Sequence, residues 1–92
     1  MNINITMARQ GLMLGGTVTA YLNGAEAAWI GNGQSIALGA AAGENELTFK
    51  SGLRSRTIKF KSTADVNVML KWNRVTGSLE ALCTGPDVEV LQ

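Results

Sequence analysis

Apolar and polar side chains alternate along most of this chain, with the period of two that sends successive residues to opposite faces of a strand. Ile3, Ile5 and Met7 alternate with Asn2, Asn4 and Thr6, which predicts a half-buried first strand. From Thr17 onward Val18, Ala20 and Leu22 alternate with Thr19 and Tyr21 and run into Asn23-Gly24. That dipeptide is a strong hairpin signal, because a type I′ turn needs positive φ at both central positions. A two-residue turn there sets Leu22 against Ala25, Ala20 against Ala27 and Val18 against Trp29. Asn32-Gly33 predicts a second hairpin, with Trp29 against Ile36 and Ala27 against Leu38. Both registers put Trp29 and Ala27 on the core face, so the expectation is a three-stranded meander centred on Trp29.

Gly39 to Gly43 encloses three alanines between glycines, too short for a stable helix, and reads as a loop. Glu44 to Lys50 and Ser55 to Lys61 follow as two strands joined at Gly52-Leu53, which suits a type II′ turn. Their pairing sets Leu47 against Ile58, Glu46 against Lys59 and Phe49 against Arg56, whose guanidinium is expected to reach water past the ring. A further hairpin spans Asp65 to Cys83, with Trp72 opposite Leu79, Leu70 opposite Ala81 and Val68 opposite Cys83 around a turn at Arg74 to Gly77. Pro86 interrupts, and Asp87 to Leu91 is left as a short edge strand or a frayed end. The pattern predicts one all-β domain over residues 1–92, a small antiparallel β-sandwich of about seven or eight strands built from hairpins. Hairpins in series argue against a parallel sheet, which needs long crossovers.

Composition adds exclusions. The net charge of +1 gives no field that steers the whole molecule toward a polyanion, so such a partner would have to use a local patch. The single cysteine, Cys83, cannot form an intramolecular disulfide or a multi-cysteine metal site; a reducing, cytoplasmic setting is the expectation. The first residues lack a basic segment followed by an apolar one, and no run approaches the roughly 20 apolar residues of a membrane span.

The chain has no histidine, which removes Ser-His-Asp and Cys-His catalysis and imidazole metal ligands. Cys83 lies at an inward position and is expected to be a buried structural thiol. The carboxylates are dispersed; Glu44 with Glu46, and Asp87 with Glu89, read as solvated strand faces. Gly11 to Thr17 is spaced faintly like a phosphate loop but lacks the lysine and leads into a strand. No cofactor and no catalytic residue is indicated.

Two candidate contact regions remain. Leu12, Met13 and Leu14 form an apolar stretch that would suit a protein partner or a second copy of the chain. Lys50, Arg54, Arg56, Lys59 and Lys61 are uninterrupted by any acid; of these Lys50, Arg54, Lys59 and Lys61 are the candidate contacts for an anion. Phe49 and Phe60 in the same stretch point inward and supply no stacking platform, which disfavours nucleic acid. A solvated charged face is the simpler reading of these cations.

The succession Val18-Thr19-Ala20-Tyr21-Leu22-Asn23-Gly24, Gly33-Gln34-Ser35-Ile36 and Gly43-Glu44-Asn45-Glu46-Leu47 resembles the PEGA-like bacterial β-sandwich domains, across half to three quarters of the chain. The resemblance implies a bacterial, non-catalytic surface or interaction module without a defined ligand site. It assigns no functional residue.

Overall fold

The computed structural model describes residues 1–10, 16–73 and 75–91. Alternation is realised there as nine strands: β1 (Asn2–Met7), β2 (Val18–Leu22), β3 (Ala25–Ile30), β4 (Ser35–Gly39), β5 (Gly43–Ser51), β6 (Arg54–Ser62), β7 (Val66–Trp72), β8 (Leu79–Thr84) and β9 (Glu89–Val90). They form a four-stranded sheet in the order β4-β1-β7-β8 and a five-stranded sheet in the order β3-β2-β5-β6-β9. The fold is an all-β sandwich. Ile3, Ile5, Val66, Val68 and Leu70 from the first sheet meet Val18, Ile30, Leu47, Phe49 and Phe60 from the second, all buried, and Trp72 and Leu79 complete the core at one end.

Two hairpins have the expected register. β5 and β6 pair Leu47 with Ile58, Glu46 with Lys59 and Phe49 with Arg56, and Gly52 takes positive φ (58°) while Leu53 does not, as a type II′ turn requires. β7 and β8 pair Trp72 with Leu79, Leu70 with Ala81 and Val68 with Cys83. β9 is the short edge strand, held to β6 by Phe60–Val90 and Lys61–Glu89.

The meander centred on Trp29 is not formed. The turn at Asn23 (φ 52°) and Gly24 (φ 86°) is the left-handed pair of type I′, and Leu22 does face Ala25. A β-bulge then leaves Ala27 unpaired, so Ala20 faces Ala28, Thr19 faces Trp29 and Val18 faces Ile30. One extra residue inverts every later side chain: Ile30 is fully buried, whereas Trp29 is 67% exposed on the outer face. The sandwich thereby encloses a branched aliphatic group and leaves the larger indole outside.

The second predicted hairpin is a crossover between sheets. Only Gly33 (φ 74°) is left-handed at Asn32-Gly33, and Gln34 N–H bonds to the Gly31 carbonyl at 3.1 Å. A turn with this sign pattern twists against its flanking strands and splays them, so it does not return the chain along β3. β4 pairs with β1 instead, Ile36 against Ile5 and Leu38 against Ile3. On its other side β1 runs parallel to β7, Ile5 against Val68, a pairing that the hairpin reading excluded.

This topology sorts the connections. β1, β3, β5 and β7 all finish at one end of the sandwich, called the upper end below, where the β3–β4, β5–β6 and β7–β8 turns lie. β4, β6 and β8 finish at the lower end, and β9 lies there against the last residues of β6.

Candidate functional site

The basic stretch between Lys50 and Lys61 is divided by its own hairpin. β5 and β6 are each nine residues long, about 30 Å at the rise of an extended strand. Lys59 and Lys61 therefore sit near the lower end, with Lys50 and Arg54 at the upper one. Lys59 Nζ lies 3.6 Å from Glu46 Oε2, and Lys61 is flanked by Glu44 on β5 and Glu89 on β9. Lys59 is thus ion-paired, and Lys61 has a carboxylate on either side.

Lys50 and Arg54 have different surroundings. Lys50 Nζ stands 5.2 Å from the centre of the Tyr21 ring, a cation–π contact on the outer face of the five-stranded sheet. The Arg54 guanidinium reaches across to the β7–β8 turn, where a Cβ placed on Gly77 would meet Nη2 at 3.2 Å. Arg56 stands opposite Phe49 and is exposed beyond the core, as its pairing predicted. Arg9 joins them from the other sheet: its Nε would lie 3.1 Å from a Cβ on Gly33, so it covers the β3–β4 turn. Gln10 fixes that approach by bonding both backbone groups of Trp72 and, through its own N–H, the Asn32 side chain.

The upper end thus collects Arg9, Lys50, Arg54 and Arg56, while Lys71 near it is paired with Glu80 at 3.7 Å. Apart from Glu80, which Lys71 pairs, the carboxylates lie elsewhere. Glu44, Asp65, Asp87 and Glu89 lie at the lower end, with Glu46 beside them, and Glu26 faces Tyr21 one pair from the Asn23-Gly24 turn. A chain of net charge +1 is in this way polarised from end to end. Two turns at the upper end also carry fully exposed aliphatic side chains, Leu53 and Val75.

At the lower end Asp87 is consumed by structure. Its carboxylate accepts the Ser62 hydroxyl at 2.6 Å, the Thr63 hydroxyl, and the backbone N–H groups of Thr63 and Ala64. These bonds, the Ser62 hydroxyl first and the Thr63 hydroxyl next, lower its pKa from 3.8 to about 2. Asp87 therefore ties the segment leading into β9 to the β6–β7 connection. Cys83 is half-buried on β8, and burial pushes its thiol pKa up, away from nucleophilic thiolate. Among the described residues no three cysteine, aspartate or glutamate side chains come together as a metal site.

A shallow groove of about 200 Å³ is lined by Asn23, Glu44, Asn45, Glu46, Lys59 and Leu91, and the Glu46–Lys59 pair closes one wall of it. On the opposite sheet a second hollow of about 290 Å³ lies over Met69, Lys71, Glu80, Ala81 and Leu82. Leu12, Met13 and Leu14 lie outside the described residues. Among the described residues no helix is long and apolar enough to cross a membrane. No family model matches the chain, and no curated protein or solved structure matches it.

Of the four predicted anion contacts, the fold leaves Lys50 and Arg54 at one end, on opposite faces of the hairpin, and places Lys59 and Lys61 away from them. Arg9 and Arg56 complete the upper group. Arg56 was in view as part of the charge run, but Arg9 stands more than one strand away in sequence and nothing local announces its position.

Proposed function

We propose that this chain is a non-catalytic interaction module that binds a negatively charged partner through its upper end. The observation that carries the reading is the placing of Arg9, Lys50, Arg54 and Arg56 at that end, where the one carboxylate nearby, Glu80, is paired with Lys71, and the others lie toward the middle and the lower end. A field of one sign over a confined surface concentrates an oppositely charged ligand even when the net charge is near zero. Guanidinium groups suit that task because their planar forks bind phosphate, sulfate or carboxylate bidentately. The resemblance to PEGA-like modules would imply a binding role of this kind.

Heparin affinity chromatography tests it. The protein is expected to be retained at low salt and released as salt rises, since both partners shed counterions on binding. Reversing Arg54 and Arg56 together (R54E/R56E) is expected to abolish retention, while reversing Lys59 and Lys61 (K59E/K61E) leaves most of it. Equal loss in both variants would return the site to the whole 50–61 hairpin, and no retention at low salt would remove the reading.

Self-association is a second reading, favoured by the same polarity: the cationic end of one copy complements the acidic end of the next. Light scattering at low and high salt reads it directly, and a strict monomer at low salt and high concentration excludes it.

A further inference from the structure

The upper end carries a feature that a purely ionic site does not need. Leu53 occupies the second central position of a Gly-X turn, where the backbone accepts almost any residue, yet a leucine stands there fully exposed. Val75 does the same at the tip of the neighbouring turn, where Asn73 Oδ1 already accepts the Val75 and Thr76 N–H groups. Neither side chain supports the core. Arg54 spans from the β5–β6 turn to the β7–β8 turn through its position against Gly77, so the two turns that carry the aliphatic tips are adjacent, and Arg54 lies between them.

Both tips are convex, and they project from turns rather than lining a cleft. A convex end with aliphatic points and a basic surround fits a broad, deformable, anionic target that has an apolar layer just beneath its charged surface. Single-stranded nucleic acid calls for aromatic platforms among the contacts that meet the bases; the projecting tips are aliphatic, and the exposed aromatic of this end, Trp29, stands back on the sheet face.

We infer that the upper end docks onto an anionic lipid bilayer, with Leu53 and Val75 entering the boundary between headgroups and acyl chains and Arg9, Lys50, Arg54 and Arg56 meeting the phosphates. This rests on the reading of that end as the site for an anionic partner. The two contributions act together. Basic residues near an acidic surface each raise binding roughly fivefold, and apolar side chains that reach the acyl boundary add to that according to the area they bury. The long arginine stems lie along the apolar zone while their guanidinium groups stay at phosphate depth. Trp29, exposed on the sheet face beside Thr19 and one strand further from Lys50, flanks the same end and suits the interfacial layer.

Co-sedimentation of the full chain with phosphatidylcholine vesicles, with and without about a quarter phosphatidylserine, tests the inference. Binding is expected only to the phosphatidylserine vesicles. It should fall about tenfold in L53S/V75S and roughly thirtyfold in R54S/R56S, and be unchanged in K59S/K61S. All these positions are exposed, and unchanged thermal melting will show that the variants fold. Undiminished binding of L53S/V75S would overturn insertion of the tips. Failure to bind phosphatidylserine vesicles at low salt would overturn the lipid assignment. Heparin separates the two levels: if heparin still retains the protein, the cationic site stands and only the bilayer falls, and if neither binds, both fall. Equal binding to a single-stranded oligonucleotide in the absence of vesicle binding would reassign the end to nucleic acid.

Discussion

Asn23 meets two demands that few side chains satisfy together. Its backbone is left-handed at φ 52°, and its side chain extends the sheet past the end of β2: Oδ1 accepts Glu46 N–H at 2.8 Å and Nδ2 donates to Asn45 Oδ1 at 2.9 Å. Asn45 is buried, and it passes the chain of bonds on to the Ala41 carbonyl. Asn23→Ala removes both bonds and places a Cβ-only residue in the left-handed region. The expected loss is about 2 kcal/mol in urea unfolding, with Asn23→Asp less costly because it keeps an acceptor for Glu46 N–H. Asp87 makes the other residue-scale prediction. Its pKa is depressed in the fold, so its contribution is complete above its ordinary value of 3.8 and disappears as pH falls through about 2. The protection of the Leu91 amide, which bonds to the Lys59 carbonyl, measured against its intrinsic exchange rate at each pH, should fall across that window. In Asp87→Asn the amide should exchange faster at neutral pH and lose this acid step; acid profiles that coincide would show that the carboxylate does not hold the segment.

At the scale of elements, the clearest lesson comes from β3. The strand alternates imperfectly, with Ala27 beside Ala28 and Trp29 beside Ile30, and these adjacent apolar pairs are where the bulge resets the face. Period two reveals which side chains share a face only while no residue is inserted, and the two agreeing turns at Asn23-Gly24 and Asn32-Gly33 shared one unbroken count through that bulge. β5 with β6 and β7 with β8 were legible because their turns are tight and their alternation is uninterrupted. The pairings of β1 with β4 and β7 were not, since alternation assigns a face but no neighbour. The site followed suit: Lys50 and Arg54 were visible as a charge run, whereas Arg9 comes to the same end of the molecule only through the sandwich. The bulge predicts opposite behaviour at two adjacent positions. Ile30→Ala should cost about 2–4 kcal/mol, while Trp29→Thr should change stability by less than about 0.5 kcal/mol. Iodide should quench Trp29 readily and spare buried Trp72. The reverse order of stability losses would favour the unbulged register.

For the whole molecule, charge and connectivity are organised along the same axis. The upper end gathers turns, cations and exposed aliphatic tips, and the lower end gathers carboxylates and the segment tied down by Asp87. Neither composition nor net charge displays that arrangement, because the opposite charges cancel in the sum. The central place of β1 between β4 and β7 bears on something else, the order of assembly. Asn2 N–H bonds to Asp65 across 63 positions, and β1 finds its parallel neighbour only after most of the chain is available. Closing so long a loop costs chain entropy before any core contact offsets it, whereas β5 and β6 meet through two turn residues. Pulse-labelled hydrogen exchange during refolding should therefore protect β5 and β6 amides ahead of those in β1, and simultaneous protection would contradict this sequence of events. On the ribosome β1 would emerge before both of its partners and be among the last of these strands to find its place.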